Sequence, residues 1–211
     1  MTTSPTAVQG DAQAPTDRSF LFVLGSSRPD GNTEALARTA AEQLPPDVPQ
    51  RWVDLAQLPL ADFQDGRHET GARPGGETEE ELRQATLGAT DIVIASPLYW
   101  YTLSAQTKRY LDYWSGWLAV PGLDFKERMT GRTLWGVTVM ADRDEVVADA
   151  LVTTLNHTAA YLGMRFGGVL LGNGSRPGQV HDDERATIRA KTFFQRTAPL
   201  ARFPYEDGTA R

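Results

Sequence analysis

Five short apolar runs, separated by amphipathic stretches, constrain the fold more than any other feature of this sequence. Valine, isoleucine, leucine and phenylalanine follow one another with little polar alternation, which is typical of strands covered on both faces. The runs occupy residues 19–25, 51–55, 91–96, 133–140 and 164–171. Apolar residues at helical spacing occur at 33–44, 78–88, 104–118, 144–162 and 181–196. This alternation predicts an α/β fold, a doubly wound, five-stranded parallel sheet with helices on both faces.

The chain length favours a single domain. A domain commonly holds about 100 to 200 residues, and we place one at residues 19–200, between tails at 1–18 and 201–211. The first tail has neither a basic start nor an apolar segment, so we expect it to be flexible and not a signal peptide. No apolar run approaches the roughly 18 residues that span a bilayer, so we expect a cytoplasmic protein with no membrane partner.

Charge and cysteine content argue against several classes of function. The net charge of −6 and the isoelectric point near 5.1 do not suit a nucleic-acid partner, because binding a polyanion requires a basic surface. The sequence has no cysteine, which excludes thiol nucleophiles and cysteine-ligated metals. Its histidines have no ligand spacing, so we expect no metal site. Redox chemistry would therefore require a bound cofactor.

The first apolar run leads into a loop, GSSRPDGNT at 25–33, that has the chemistry of an anion site. Ligands of a doubly wound sheet bind beyond the carboxyl ends of its strands, and a helix N-terminus favours an anion there. Ser26, Asn32 and Thr33 can donate hydrogen bonds, and Arg28 can pair with a phosphate. Since neither a dinucleotide fingerprint nor a P-loop is present, we predict a terminal phosphate. The alternative is a simple turn in which Asn32 or Thr33 caps the helix.

The third apolar run leads into an aromatic loop, SPLYWY at 96–101, before a helix predicted to be capped by Ser104. Aromatic residues at the edge of a sheet have no core to fill, so we interpret Tyr99, Trp100 and Tyr101 as contacts for a flat ligand or a second subunit. The alternative is packing of these rings on the next helix. Four further aromatic residues have the helical spacing of core or subunit contacts and are assigned no chemistry: Tyr110, Tyr113, Trp114 and Trp117.

Together, GSSRPDGNTEALA and ASPLYWYTLSAQTKRYLDYW resemble the NADPH-dependent FMN reductase family, flavodoxin-like proteins that include quinone and azo reductases. The resemblance covers residues 19–195. It implies the strand order 2-1-3-4-5, bound FMN and a homodimer or dimer of dimers. It also implies a phosphate site formed by Ser26, Arg28, Asn32 and Thr33. The residues implied to line the flavin ring are Pro97, Leu98, Tyr99 and Trp100.

By that resemblance, hydride would pass from NADPH or NADH through FMN to a quinone, azo compound, flavin or similar flat acceptor in a ping-pong scheme. No side chain would be catalytic, since flavin N5 carries the chemistry. Tyr101 would shape the acceptor pocket. Arg143, in the loop after the fourth apolar run, would stabilise a reduced flavin or hold a nicotinamide phosphate. Its alternative is a solvated residue in the first turn of a helix.

Some features do not decide between these functions. The loop at 140–145 is more charged and poorer in glycine than the loop of relatives, which counts against backbone contacts to a flavin. Ser175 and Arg176 are interpreted as a structural turn. We expect the segment 59–76 to be a mobile loop. An electron carrier on the same fold and a binding module that has lost flavin remain as alternative functions.

Overall fold

The computed structural model describes residues 18–58, 60–66 and 76–204. Most of the two predicted tails lies outside the described residues, as do position 59 and residues 67–75 of the loop predicted to be mobile. Five strands form one sheet, namely β1 (Phe20–Leu24), β2 (Gln50–Asp54), β3 (Asp91–Ala95), β4 (Thr133–Met140) and β5 (Arg165–Asn173).

Every pairing in the sheet is parallel, in the order β2-β1-β3-β4-β5, which confirms the predicted topology. Phe20 lies opposite both Gln50 and Asp91, and Asp91 lies opposite Thr133. The strand order therefore reverses at β1 and β3. In doubly wound sheets a ligand binds at such a reversal, beyond the carboxyl ends of the two strands.

In the described part of the chain, six α-helices accompany the strands, namely α1 (Asn32–Ala41), α2 (Glu77–Gly88), α3 (Ala105–Trp117), α4 (Phe125–Met129), α5 (Asp149–Tyr161) and α6 (Glu184–Ala190). Helix α4 was not predicted, because five residues are too few to show a helical period. The helix predicted at 181–196 is instead α6 between two 3-10 turns, Gln179–Asp182 and Phe193–Gln195. Asp183 caps α6 and separates it from the preceding turn.

Two apolar cores lie on opposite faces of the sheet. Helices α1 and α6 cover one face, where Leu36 and Ala190 pack with Phe194. Helices α2, α3, α4 and α5 cover the other, where Trp117 and Leu155 are fully buried. The apolar runs lack alternation because both of their faces are buried in this way. The core position predicted for Tyr110, Trp114 and Trp117 is confirmed, whereas Tyr113 is half-buried against Phe63.

A buried ion pair closes the amino end of the sheet. Asp91, 3% exposed at the start of β3, accepts hydrogen bonds from Arg18 Nε at 3.1 Å and Arg18 Nη2 at 2.5 Å. It also accepts one from Trp135 Nε1 at 2.8 Å, while Arg18 Nη1 donates to the carbonyl of Phe194 at 2.7 Å. These bonds join β3 and β4 to Arg18, which precedes β1, and through Arg18 to the 3-10 turn Phe193–Gln195. The carboxylate is therefore well satisfied where it is buried.

Strand β5 bends around the Trp135 ring. A Cβ on Gly167 would lie 2.0 Å from that ring, and Gly168 has φ +89°. The pairing of β4 with β5 shifts register at this point, between Leu134 and Gly136. A bulge of this kind needs glycine where the backbone enters the left-handed region.

Candidate functional site

Backbone hydrogen bonds bring three loops together at the carboxyl end of the sheet. The Gly25 N–H donates to the carbonyl of Ala95 at 2.9 Å, and the Ser96 N–H donates to that of Val137 at 3.0 Å. The loops that follow β1 and β3 therefore begin side by side, and β4 continues from Val137 to Met140 before its own loop begins at the same end of the sheet. We call them the phosphate loop (25–31), the aromatic loop (96–104) and the β4–α5 loop (141–148).

The phosphate loop ends in a row of free backbone donors. Gly31 occupies the N-cap of α1 without a side-chain cap, so the alternative in which Asn32 or Thr33 caps the helix is wrong. Among the described residues, the N–H groups of Asn32, Thr33 and Glu34 have no acceptor. Ser26 Oγ accepts from the Arg28 N–H at 3.1 Å, which folds the loop back toward the helix start. The helix dipole and these donors favour an anion at this position.

Asn32 contacts a loop that the sequence interpretation had kept apart from the site. Its Nδ2 donates to the carbonyl of Arg176 at 2.8 Å, and its Oδ1 accepts from the Val180 N–H at 3.4 Å. The segment after β5 is thus held against the start of α1. Arg176 is exposed beside the phosphate loop. Thr33 is 4% exposed, and within the described part of the chain no hydrogen bond involves its hydroxyl.

Ser104 links the phosphate loop to the aromatic loop. Its Oγ donates to the carbonyl of Gly25 at 2.6 Å and accepts from the Thr107 N–H at 3.3 Å, which confirms the predicted cap of α3. Its N–H donates to Ser96 Oγ at 2.9 Å. A Cβ on Gly25 would lie 1.8 Å from Thr107 Oγ1. Only glycine therefore allows α3 to approach β1 this closely. In the sequence, Gly25 was identified only as the first residue of the loop at 25–33.

The aromatic loop forms a tight two-residue turn that presents bare rings. Tyr99 and Thr102 exchange two backbone hydrogen bonds, at 3.0 and 3.1 Å. Between them Trp100 and Tyr101 have φ of 49° and 67°, a conformation that favours glycine and costs other residues about 1–2 kcal/mol each. Trp100 is 91% exposed and Tyr101 is 61% exposed. The alternative in which these rings pack on α3 is wrong for Trp100 and Tyr101.

The other residues predicted near the ring are less exposed. Pro97 and Leu98 are half-buried, and Leu98 packs against the core below α3. Tyr99 is 45% exposed. These residues form the base from which the turn projects, so the structure brings Pro97, Leu98, Tyr99 and Trp100 into one loop beside the phosphate loop.

The β4–α5 loop is polar and ordered by its own carboxylates. Asp142 Oδ1 accepts from the Asp144 N–H at 3.0 Å, and Asp144 Oδ1 accepts from the Val146 N–H at 3.1 Å. Arg143 is exposed between them and forms no ion pair within the described residues. Its guanidinium is free to meet an anionic ligand.

A cavity of about 380 Å³ lies on the β5 side of this loop. Glu145 binds Arg189 there, with Nη2 2.5 Å from Oε1. The hydrogen bond from Arg189 is the main cause that lowers the pKa of Glu145 and raises the pKa of Arg189. This ion pair joins the 3-10 turn Glu145–Ala148, at the end of the β4–α5 loop, to α6.

The three loops fit a mononucleotide that carries a flat ring. Free N–H groups and Arg28 suit a phosphate, and exposed aromatic rings suit a conjugated ring system. Among the described residues, no group of three histidine, aspartate or glutamate side chains could hold a metal ion. No helix in that part of the chain has the length and apolar character needed to cross a bilayer.

The profile of a protein family described by its flavodoxin-like fold matches residues 18–193. The chain belongs to this flavodoxin-like family. It is 29% identical over 177 residues to YwqN of Bacillus subtilis (strain 168), whose name describes an NAD(P)H-dependent FMN-containing oxidoreductase. That alignment covers 83% of this chain and 96% of YwqN.

Solved structures share the flavodoxin-like fold. The Trp repressor binding protein from Bacillus subtilis superposes with a TM-score of 0.67 at 24% identity, covering 84% of this chain and 99% of that one. An FMN-dependent NADH-azoreductase from Bacillus anthracis, solved in complex with FMN, has a TM-score of 0.59 at 13% identity, covering 87% and 100%. At these identities the likeness supports the fold.

Proposed function

We propose that this flavodoxin-like protein is an NAD(P)H-dependent FMN oxidoreductase that reduces quinones, azo compounds or similar flat acceptors. The observation that carries the proposal is the junction of the phosphate loop with the aromatic loop at the reversal of strand order. Free donors for a phosphate and exposed rings for a flat ligand lie on neighbouring loops there. The name of the relative YwqN agrees with this chemistry.

FMN, when bound, supplies the hydride chemistry at its N5. The chain's own residues bind the FMN and orient its ring. The N–H groups that begin α1, with Ser26, Arg28, Asn32 and Thr33, hold the phosphate. Asn32 contributes chiefly through its backbone, because its side chain already binds the segment after β5.

The aromatic loop forms the other part of the binding site. Pro97, Leu98, Tyr99 and Trp100 would line the flavin ring. Trp100 and Tyr101 would also cover the space for the nicotinamide and, in turn, the acceptor. The nicotinamide and the acceptor are both flat and conjugated, so the same exposed aromatic surface suits each of them. This shared surface favours the ping-pong order, since the first product leaves before the acceptor enters.

Arg143 lies on the β4–α5 loop and lines the cavity that also holds Glu145, and we propose that it provides positive charge for the bound nucleotides. An exposed guanidinium without an ion pair among the described residues suits a phosphate of the nicotinamide nucleotide or negative charge on a reduced flavin. No side chain of the site is required to transfer a proton. The proposal accordingly assigns no catalytic acid or base.

A homodimer is part of the proposal. Trp100 and Tyr101 leave large apolar surfaces uncovered in a single chain, and a second copy could complete the pocket around them. Sedimentation equilibrium over a range of concentrations tests this, and a monomer at micromolar concentration would contradict it.

The visible absorption spectrum before and after anaerobic addition of NADPH or NADH tests the function. A yellow protein that bleaches, and recovers its colour on addition of a quinone, supports the oxidoreductase. A yellow protein that stays oxidised with both nucleotides contradicts it in favour of an electron carrier. A colourless protein that does not bind added FMN contradicts the cofactor assignment.

A further inference from the structure

Asn173, the last residue of β5, gathers the carbonyl groups of the β4–α5 loop. Its Nδ2 donates to the carbonyl oxygens of Met140 at 3.1 Å, Ala141 at 3.1 Å and Asp142 at 2.7 Å. Carbonyl oxygens only accept hydrogen bonds, so the amide must turn its NH₂ group toward all three. Its two hydrogens are shared among the three acceptors. One side chain thereby fixes three consecutive peptide groups.

The backbone of Asn173 is itself firmly held. Its N–H donates to Asp183 Oδ2 at 2.8 Å, and Asp183 Oδ1 accepts from the Ala186 N–H at the start of α6. The next residue, Gly174, donates from its N–H to the Met140 carbonyl at 2.9 Å. The position of the Asn173 amide is therefore set by β4 and by α6, independently of the loop it holds.

The geometry of the peptide bond fixes where the N–H groups of these three peptides point. In a planar trans peptide the C=O and the following N–H point in opposite directions. The three carbonyls point to Asn173 at the end of β5, so the N–H groups of Ala141, Asp142 and Arg143 point away from Asn173. Among the described residues these three N–H groups have no acceptor.

We propose that Asn173 is a positioning residue that presents the N–H groups of Ala141, Asp142 and Arg143 to the acceptor atoms of the flavin ring. This inference rests on the proposed function. A free backbone N–H is a hydrogen-bond donor, and a flavin ring carries acceptors along one edge that become more negative on reduction. The loop can supply such contacts without glycine, because a side chain from the neighbouring strand orders its backbone.

The expected consequence is a preference for the reduced flavin. Three N–H donors aimed at an edge that gains negative charge bind the reduced form more tightly than the oxidised form. Asn173→Ala removes the donor, and the peptide groups of the loop can then rotate. We expect the reduced flavin to lose about tenfold in relative affinity, which for a two-electron couple lowers the midpoint potential by about 30 mV.

Asn156→Ala is the matched control. Asn156 Nδ2 also donates to a backbone carbonyl, that of Arg202 at 3.0 Å, but on α5 away from the three loops. Asn173→Asp is a second variant of nearly the same shape that cannot donate to three carbonyls, and it serves if the alanine variant does not fold. Each purified protein is titrated with FMN, and its potential is measured against a reference dye.

A readout without flavin separates loop order from binding. The amide hydrogens of Asp144 and Val146, which donate to carboxylates of the same loop, should exchange faster in both Asn173 variants than in the native protein or in Asn156→Ala. A lower potential together with faster exchange supports the inference. An unchanged potential in variants that bind FMN overturns it while leaving the proposed function intact. A native protein that does not bind FMN overturns both.

Discussion

At the amino end of the sheet Asp91 is buried and hydrogen-bonded to Arg18 and Trp135, whereas at the carboxyl end Trp100 is bare and several backbone donors lack acceptors among the described residues. The same strands run between these two ends. The amino end satisfies its polar groups with the chain itself, while the carboxyl end leaves them for a ligand. Stability and binding are thus assigned to opposite ends of one sheet, and substitutions can separate them.

The largest effect is expected at the amino end, from Asp91→Ala. It leaves Arg18 without its carboxylate partner and the Trp135 N–H without its acceptor, and breaking a buried pair of this kind lowers the free energy of unfolding by about 3 kcal/mol. Urea denaturation without FMN measures the loss. Asp91→Asn, which keeps an acceptor for Trp135, should lose less. FMN affinity of the folded protein should be unchanged, and a large fall in affinity would contradict the separation of the two ends.

Gly25→Ala tests whether the carboxyl end depends on one close approach. The added Cβ would lie 1.8 Å from Thr107 Oγ1, so α3 must move away from β1, at about 1–3 kcal/mol for overpacking. Because the phosphate loop and the aromatic loop meet there, we expect weaker FMN binding as well. Gly88→Ala is the control, since no atom lies within 4 Å of its added Cβ. Equal behaviour of the two variants would refute the packing argument.

Trp100→Asn should raise the free energy of unfolding and weaken ligand binding. Asparagine tolerates the left-handed conformation that Trp100 adopts at φ 49°, so the free energy of unfolding should rise by about 1 kcal/mol. Affinity for FMN or for a flat acceptor should fall, because the stacking ring is gone. Thermal unfolding and steady-state kinetics measure the two effects. Tyr161→Asn, at an exposed aromatic outside the site, should leave binding unchanged, and a similar loss there would argue against Trp100.

The smallest effect is expected from the Glu145–Arg189 pair, which joins the β4–α5 loop to α6. Arg189 holds the pKa of Glu145 below its ordinary value of 4.5. A carboxylate with a lowered pKa stabilises the fold above pH 4.5, and this contribution is lost as the pH falls through the lowered value. Glu145→Gln should therefore be slightly less stable than the native protein at pH 7, and the difference should shrink as the pH falls below 4.5 and through the lowered pKa of Glu145. A difference that persists at low pH would contradict the ion pair.

Sequence patterns were sufficient for the strands and most helices because burial on both faces leaves a local signature. The bounds of β4 agree at both ends with those expected from the sequence. The short helix α4 and the division of the last helical segment at Asp183 left no comparable period. The order of the strands came from the resemblance, since parallel pairing depends on residues far apart in the chain.

The candidate site divides in a similar way. The sequence by itself determined which residue types stand at the ends of β1 and β3, namely hydroxyls, glycine and Arg28 on one loop and aromatic rings on the other. Only the tertiary structure decided that Asn32 binds the segment after β5, that Trp100 is bare, and that Asn173 orders the β4–α5 loop. The physical reason is distance: each of these facts depends on contacts between loops that only the folded sheet brings to one edge.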